Sequence, residues 1–220
     1  MKYRFTNRDG GSSTGVFASL NVGTHVSDDY STVLSNRALL AQELGPIQYM
    51  SQVHGNRVAV IEHVTDEDPT ADALVTGIPG ISLAVQVADC IPLLLHSPES
   101  VAAVHVGRKG LLNDVTTVTL EVMRKIGSSQ ISAIIGPAIC GKCYEVSQEI
   151  HDEVVAIHPS ARSLTPKGTP ALDLVAALKK ILDNEGVSYT DQSRCTVENS
   201  DLFSYRRDSV TGRQAGIISL

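Results

Sequence analysis

The stretch from residue 88 to residue 110 limits the possible folds more than any other part of the chain. Two short apolar runs, Ile91–Leu95 and Val101–Val104, lie on either side of a Ser-Pro-Glu-Ser segment at residues 97–100. Apolar runs of this length around a turn signal are typical of a β-hairpin with two buried strands. We therefore predict such a hairpin, around which the rest of the chain is organised.

Reactive side chains lie at the open end of this predicted hairpin. Cys90 comes directly before the first strand and His105 closes the second, followed by Gly107 and Gly110 around two cations. A thiolate and an imidazole held side by side form either part of a metal site or a nucleophile with its base. The residues alone leave both interpretations open.

The composition predicts a single mixed α/β domain that spans residues 1–220. The 220 residues are 42% hydrophobic but only 4% aromatic, with no Trp, which indicates an aliphatic core. A chain of this length is more typical of one domain than of two, and no repeat or linker interrupts it. The predicted helices begin at Ser31 or Ser35, at Asn113 or Asp114, at Gln148 and at Ala171. Short strands, including Ile47–Val53, fill the intervening segments.

The charge and the hydrophobic pattern exclude several classes of protein. The net charge of -6 argues against non-specific binding of nucleic acid, which needs clustered Lys and Arg. No run reaches the roughly 18 apolar residues that cross a bilayer, and the N-terminal segment does not resemble a signal peptide. We therefore expect a cytoplasmic protein that binds neither nucleic acid nor a membrane. Its four cysteines are not expected to form a disulfide framework.

His54 is a candidate third ligand beside the Cys–His pair. It follows the predicted strand Ile47–Val53 and precedes a glycine, as expected for a side chain at a strand end. Together with Cys90 and His105 it would complete the three N/S donors of a catalytic zinc site. The spacing of the three residues is no established signature, and taken singly a hydrogen-bonded histidine or a buried cysteine is a more common explanation than a metal ligand.

Two further groups of residues carry possible chemistry. Cys140 and Cys143 form a C-x-x-C motif, but a four-cysteine zinc site would need a second pair, and only Cys90 and Cys195 remain. We therefore predict a structural role in a loop for Cys140 and Cys143. The cations Arg108-Lys109 and Arg206-Arg207 lie near Gly or Ser and could hold an oxyanion, whereas Arg37 is expected on the solvent-exposed side of its helix.

Ten motifs occur together in one order along nearly the whole chain, and their combination resembles the YfiH/laccase-domain family. This family has been called multicopper polyphenol oxidase and is also described as purine nucleoside phosphorylases with adenosine deaminase activity. The motifs are Ser-Leu-Asn-Val-Gly (19–23), His25-Val26 with Asp28-Asp29, Asn36-Arg37, Gln-Val-His-Gly (52–55), Ala-Asp-Ala (71–73), Ala-Asp-Cys (88–90), Val-His-x-Gly-x-x-Gly (104–110), Ile-Gly-Pro (135–137), Cys-Tyr-Glu-Val (143–146) and Phe-Ser-Tyr-Arg (203–206).

The resemblance implies a fold and a site. The fold would be a single α/β (α+β) domain of the YfiH/CNF1-like type, with a mixed β-sheet core and flanking helices. The metal would be Zn²⁺, with copper possible, bound by His54, Cys90 and His105. Asp89 would join Cys90 and His105 as a catalytic group that transfers protons. Contacts to substrate or phosphate would come from Asn21, Arg37, Lys109, Ser204 and Arg206.

One motif departs from the family pattern. The family has His-Ala-Gly-Trp-Arg-Gly, whereas this chain has Arg108 in place of Trp and Lys109 in place of Arg. The metal ligand His105 is kept, but Lys cannot make the bidentate contact of a guanidinium group. At this motif the resemblance therefore supports the metal ligand and not a guanidinium contact to an oxyanion.

Four functions follow from these observations. The first is a zinc-dependent purine nucleoside phosphorylase with adenosine deaminase activity, acting on a purine nucleoside and phosphate. The second is a laccase-like copper oxidase of phenols, which needs more than the seven histidines present and His-x-His pairs that the chain lacks. The third is a hydrolase with Cys90 as nucleophile and His105 as base, serving peptidoglycan precursor editing. The fourth is a non-catalytic metal or ligand sensor.

Overall fold

The computed structural model describes all 220 residues as a mixed α/β fold with six α-helices and twelve strands. The helices are α1 (Tyr30–Leu44), α2 (Arg108–Leu112), α3 (Val115–Lys125), α4 (Gln148–Ile157), α5 (Leu174–Asn184) and α6 (Tyr205–Asp208). The strands are β1 (Lys2–Phe5), β2 (Ile47–Gln48), β3 (Val58–Val60), β4 (Ala73–Thr76), β5 (Ser82–Val87), β6 (Ile91–His96), β7 (Val101–Val106), β8 (Ser132–Ile135), β9 (Arg162–Leu164), β10 (Pro170–Leu172), β11 (Ser188–Asp191) and β12 (Gln214–Ser219).

The strands form two main sheets and a small one. The six-stranded sheet has the order β11-β8-β6-β7-β4-β3, and the four-stranded sheet has the order β1-β12-β5-β2. Both sheets are mixed, because β11–β8, β3–β4 and β2–β5 pair in parallel while the other neighbours are antiparallel. Strands β9 and β10 pair separately.

The predicted hairpin is present as β6 and β7, the two central strands of the larger sheet. They pair in antiparallel register, with Pro92 opposite His105. At the turn, the Ser97 hydroxyl accepts hydrogen bonds from the backbone N–H groups of Glu99 and Ser100. The hairpin therefore holds His105 one residue from the end of its strand, close to the start of β6.

Both faces of the hairpin are buried because the sheet lies between two cores. Leu93 and Val104 face a core shared with α3, α4 and α5, whereas Leu94 and Ala103 face the four-stranded sheet. A third core lies on the far side of the four-stranded sheet, where Leu40 of α1 packs. The layers thus run from α1 through the two sheets to the remaining helices.

Some predicted boundaries are wrong, and each error has a physical cause. The strand predicted over residues 47–53 ends at Gln48, and the Gln52 amide makes two hydrogen bonds to the backbone of Gln86 instead. The helix predicted from Ala171 begins at Leu174, because residues 170–172 form β10 and Asp173 caps the helix. The cap of α1 is Asp29, which accepts from the Thr32 N–H, and neither Ser31 nor Ser35.

The short helix α2, directly after β7, was not predicted from the sequence. No helix of the structure has the length and apolar character that crossing a membrane would require.

Candidate metal centre and its cavity

The loop before β3, the start of β6 and the end of β7 bring His54, Cys90 and His105 together. His54 lies in the loop between β2 and β3, Cys90 directly precedes β6, and His105 is the penultimate residue of β7. The ligand atoms of the three side chains all lie within 4.8 Å of one another. The two imidazole rings meet edge to face, with centroids 4.7 Å apart. The structure therefore assembles the three residues predicted as metal ligands.

Asp72 fixes the positions of both histidines from behind. Its side chain is fully buried, and Oδ1 lies 2.9 Å from Nδ1 of His105. The same carboxylate accepts hydrogen bonds from the backbone N–H groups of Val53, His54 and Gly55. With Nδ1–H of His105 donated to Asp72, Nε2 is the nitrogen free for a metal, an arrangement that is common around metal-binding histidines.

The protonation of Cys90 and His105 reflects their mutual contact. Burial by itself raises the pKa of the Cys90 thiol, but His105 and His54 outweigh burial and lower it to about 6. Burial likewise lowers the pKa of His105, but the Cys90 thiolate and Asp72 raise it to about 9. Without a metal, the site therefore holds a thiolate and an imidazolium near neutral pH.

Gly107 has no side chain, which leaves space for the cluster of His54, Cys90 and His105. A Cβ atom at this position would lie 2.9 Å from Sγ of Cys90 and 3.4 Å from Cδ2 of His54. Carbon and sulfur atoms do not approach so closely without displacement. The glycine after β7 is thus required by the close approach of the Cys90 sulfur, and His54 lies at ordinary contact distance from the same point.

The three ligands line a cavity of about 450 Å³. This volume lies within the roughly 300–1,000 Å³ typical of small-molecule sites. Three guanidinium groups and two phenol rings contribute to the wall, so that the cavity offers cations and flat surfaces beside the cluster. The lining residues outside the cluster include His25, Gln52, Asp89, Arg108, Tyr144, Tyr205, Arg206 and Arg213.

Asp89, predicted as a proton-transfer group, is an anchor for the cavity wall. Its backbone has a φ of 98°, and its carboxylate accepts from the Thr196 hydroxyl (2.5 Å), the Ser204 hydroxyl (2.7 Å) and the Arg206 N–H (2.7 Å). A carboxylate has about four acceptor positions. The three bonds therefore leave about one position for a substrate.

Arg206 and Ser204 occupy different places around the wall. Arg206 lines the cavity, where its guanidinium group lies 5.0 Å from the Tyr144 ring centroid and donates to the carbonyl of Glu145. Ser204 is buried behind the wall and caps α6 by accepting from the Arg207 N–H.

Three other predicted substrate contacts, Asn21, Lys109 and Arg37, lie outside the cavity lining. Asn21 is buried and bonds Asp28, Gly23 and the Arg213 N–H, so it supports a cavity residue from behind. Lys109 is exposed, and the neighbouring Arg108 lines the cavity in its place.

The expectation that Arg37 faces solvent is wrong. Its side chain is only 13% exposed, and it bonds Asp68 and the Val22 carbonyl. Its guanidinium group also lies 3.8 Å from the centroid of the Tyr49 ring. Arg37 therefore connects α1 to the loops around the four-stranded sheet.

Several cavity residues were not singled out from the sequence. His25 and Gln52 lie within the motifs quoted above, and membership of these motifs was the only indication in the sequence that they belong to a site. Desolvation, followed by the nearby Arg213 and Arg37 cations, lowers the pKa of His25, which is therefore neutral near pH 7. Arg213 lies next to β12 in a stretch without a motif, and only the fold brings it to the cavity.

The chain matches proteins of one family along nearly its whole length. The family model described as "Multi-copper polyphenol oxidoreductase laccase" matches residues 2–220. The chain is 44% identical to a purine nucleoside phosphorylase of Streptomyces coelicolor, over 99% of this chain and 95% of that protein. It is 42% identical to one of Corynebacterium glutamicum, over 98% of this chain and 93% of that protein.

Two solved structures are similar to this one. The crystal structure of the Neisseria meningitidis protein NMB0706 is 36% identical, with a TM-score of 0.91, and the match covers 100% of this chain and 93% of that chain. The crystal structure of the Bacillus licheniformis hypothetical protein YfiH is 30% identical, with a TM-score of 0.88, covering 98% and 91%. These matches confirm the mixed α/β fold that the sequence resemblance implied.

Proposed function

The chain belongs to the multi-copper polyphenol oxidoreductase laccase family, the YfiH/laccase-domain family, and we propose that it is a zinc-dependent purine nucleoside phosphorylase with adenosine deaminase activity. The observation that carries the proposal is the His54–Cys90–His105 cluster, exposed to a cavity with cationic and aromatic walls. The 42–44% identity to proteins named purine nucleoside phosphorylase supports it.

The donor set fits a catalytic zinc ion. Two imidazole nitrogens and one thiolate are ligands that zinc prefers, and catalytic zinc sites have three protein ligands and an open position. All three residues line the same cavity, so a fourth position would face a substrate. The carboxylate of Asp72 behind His105 is the usual partner of a zinc-bound histidine. A metal bound here would supply Lewis-acid polarisation of a substrate group or of water.

The cavity walls suit the two substrates of phosphorolysis. Arg206 and Arg213 offer guanidinium groups for phosphate, a geometry in which Arg is favoured. The rings of Tyr144 and Tyr205 offer flat surfaces for a purine. An oxygen of phosphate would form a bond to ribose C1′ while the C1′–N9 bond breaks and its electron pair goes to the purine. The purine takes up one proton, which the neutral His25 imidazole can relay.

Deamination would use the same cavity. A water oxygen would form a bond to C6 of adenosine, and the C6–N bond would break, with the amino group leaving as ammonia after it gains a proton. The free acceptor position of Asp89 could take a proton from the attacking water and pass it to the leaving amino group, since the carboxylate lines the cavity. The partners of the protein would then be small molecules, a purine nucleoside and phosphate, encountered in the cytoplasm.

One alternative function is favoured by a specific observation. Cys90, His105 and Asp72 follow one another in contact, as nucleophile, base and orienting acid do in cysteine hydrolases.

A phenol oxidase is not favoured, because the two clusters of metal-ligand type contain only two histidines, fewer than a multicopper centre needs.

The test is a turnover assay on zinc-loaded protein. Adenosine, inosine or methylthioadenosine with phosphate should give free base and ribose 1-phosphate, and adenosine should also give inosine. Cys90→Ala and His54→Ala should abolish turnover, whereas His63→Ala, at an exposed histidine, should leave it unchanged. No phosphate-dependent turnover above the Cys90→Ala level would refute the proposal. Activity that survives chelation but is lost on thiol alkylation would favour the hydrolase instead.

A further inference from the structure

A second group of ligand atoms lies outside the cavity lining. The thiols of Cys140, Cys143 and Cys195 and the carboxylate of Glu198 all lie within 4.8 Å of one another. The four residues lie in two short segments with the same spacing, C-x-x-C at 140–143 and C-x-x-E at 195–198. We call these segments the first and the second hook. The sequence indicated only the first hook, because a second pair of cysteines is absent. The second pair is one cysteine and one glutamate, each 55 residues after its counterpart in the first hook.

The backbone holds the two hooks together. Ala138 and Cys195 form a parallel bridge, with hydrogen bonds from the Ala138 N–H to the Arg194 carbonyl and from the Thr196 N–H to the Ala138 carbonyl. In the first hook, the Cys143 N–H donates to the Cys140 carbonyl at 3.0 Å. In the second, both the N–H and the side-chain amide of Asn199 donate to the Cys195 carbonyl. The convergence of the side chains is therefore built into hydrogen-bonded turns.

Two contacts link the first pair of residues to the second. The Cys140 N–H points at Sγ of Cys195 at 3.4 Å, and Sγ of Cys143 lies 3.6 Å from Oε1 of Glu198. No disulfide joins any two of the cysteines. In a tetrahedral zinc site with Zn–S bonds of about 2.3 Å, sulfur atoms lie about 3.8 Å apart. The four ligand atoms, all within 4.8 Å of one another, are already close to that separation.

We propose that Cys140, Cys143, Cys195 and Glu198 form a second, structural metal site that takes a thiophilic divalent cation, zinc above all. Three thiolates and one carboxylate supply four ligands, so that this site is closed, in contrast to the three-ligand cluster at the cavity. Cys195 is buried and the carboxylate of Glu198 lies at the surface, which gives the cation an entry path. Thiolate ligands select zinc over magnesium or calcium, which prefer oxygen.

The metal would brace the cavity wall. The residue before Cys140 is Ile139, which lines the cavity and whose N–H donates to the Asp89 carbonyl, and the residue after Cys195 is Thr196, whose hydroxyl donates to the Asp89 carboxylate. Tyr144, next to Cys143, also lines the cavity. Residues in or next to both hooks thus bond Asp89, and a cation between the hooks would hold Asp89 in place.

The first test counts metal ions in purified protein by elemental analysis. The wild type should bind two zinc ions per chain with high affinity. His54→Ala should retain one zinc ion, held by Cys140, Cys143, Cys195 and Glu198, which we call the cysteine cluster. Cys143→Ser should retain one zinc ion, held at the cavity. Wild-type protein with a single zinc, together with His54→Ala protein free of zinc, would overturn the proposal.

The second test needs no cysteine substitution and so does not depend on whether Cys143→Ser folds. Cobalt(II) loaded into His54→Ala should show the tetrahedral d–d bands and the thiolate-to-cobalt charge transfer of three thiolates. Glu198→Gln should weaken binding, because it removes an anionic ligand, whereas Glu198→Cys should strengthen it and add a fourth thiolate. Octahedral spectra, or no change with either Glu198 variant, would contradict the assignment.

Two further measurements distinguish a metal at the cysteine cluster from a disulfide there and from the chemistry of the cavity. Thiol titration of the freshly denatured wild type under chelation should find four free cysteines, and a count of two would show a disulfide in place of the metal. The phosphorolysis assay tests the cavity independently, because a protein with no nucleoside turnover should still bind metal at the cysteine cluster.

Discussion

Asp72 shows how a single buried carboxylate organises the cavity cluster. It bonds the His105 ring and three consecutive N–H groups of the loop that carries His54. Hydrogen bonds to a carboxylate favour its charged form, and together with His105 they outweigh burial and lower the pKa of Asp72. Asp72 therefore stays charged at neutral pH and holds two candidate ligands that lie 51 residues apart in the chain.

The first prediction concerns the thiol of Cys90 in the metal-free protein. Because the imidazoles lower its pKa to about 6, the thiolate fraction should increase as the pH rises through about 6. An ordinary cysteine shows this increase near pH 8.5. The rate of alkylation by iodoacetamide at Cys90, followed by mass spectrometry of the peptide, should have its midpoint near pH 6.

Two variants control this measurement. Asp72→Asn should move the midpoint to higher pH, since it removes a group that keeps His105 protonated. Zinc should protect Cys90 at every pH high enough for the ligands to lose their protons to the metal, whereas His63→Ala should behave as the wild type. A midpoint near pH 8.5 in the metal-free wild type would show that the thiol and imidazole do not form an ion pair.

The second prediction concerns Gly107. Gly107→Ala should displace the Cys90 thiol, because the added Cβ would lie 2.9 Å from Sγ. We expect the affinity for zinc at the cavity to fall by about 10- to 100-fold, the range seen when the support of a ligand is disturbed. Competition with a chromophoric chelator would measure this change.

Gly77→Ala is a matched control for the glycine change. Gly77 directly follows β4, away from the cavity lining, and its added Cβ would meet only the Glu99 carbonyl at 3.2 Å. This variant should alter stability without altering zinc affinity. Equal loss of zinc affinity in both variants would mean that general destabilisation, not displacement of Cys90, is responsible.

At the scale of elements, the four-residue helix α6 positions part of the cavity wall. A helix this short is not stable by itself, and it depends on contacts at its start. Ser204 supplies two of them, because its hydroxyl accepts from the Arg207 N–H and donates to Asp89. Tyr205 and Arg206, which line the cavity, are held by this cap.

The third prediction is that Ser204→Ala raises the KM for phosphate or nucleoside more than it lowers kcat. The serine does not line the cavity, but its loss frees the first turn of α6 and the wall residues on it. Ser147→Ala is the matched control, because Ser147 caps α4 by accepting from the Ile150 N–H, outside the cavity lining. Both should lower the free energy of unfolding by about 1 kcal/mol.

Steady-state kinetics and denaturant titrations of the two variants would separate the roles of the caps. Only Ser204→Ala should change KM. If Ser147→Ala changes KM equally, or if Ser204→Ala leaves KM unchanged, the cap of α6 does not position the wall.

Elements with strong local signals were predictable from the sequence, and those fixed by distant contacts were not. The β6–β7 hairpin has apolar runs and a serine-proline turn, and α4 begins at Gln148, as predicted. By contrast, β2 ends early because Gln52 bonds the distant Gln86, and β10 exists only because β9 pairs with it. Such contacts across the chain leave no mark in the local pattern.

At the scale of the whole molecule, the two-sheet arrangement decides which residues meet. The candidate ligands lie at the ends of segments around one sheet, so their convergence could be predicted from strand ends and from the family resemblance. Arg213 and the second hook at residues 195–198 could not, because they arrive from the four-stranded sheet and from a loop after β11. Nothing local in those stretches indicates a site.

The last prediction concerns the stability of the whole protein in zinc buffers. A metal that binds only the folded state stabilises it, and above the dissociation constant each site contributes about 1.4 kcal/mol per tenfold rise in free zinc. The ligands at the cavity join three separate segments, so zinc there should bind the folded chain far better than the unfolded one. The free energy of unfolding of His54→Ala should therefore increase with zinc less steeply than that of the wild type, by about 1.4 kcal/mol per decade.

The remaining slope in His54→Ala reports the cysteine cluster. We expect a total of about 2.8 kcal/mol per decade in the wild type, half of it retained in His54→Ala and none in the double variant His54→Ala/Cys143→Ser. His63→Ala should match the wild type, since its side chain is exposed and outside both clusters. Equal slopes for the wild type and His54→Ala would mean that the cavity cluster contributes no zinc binding to folding, whatever the cysteine cluster does.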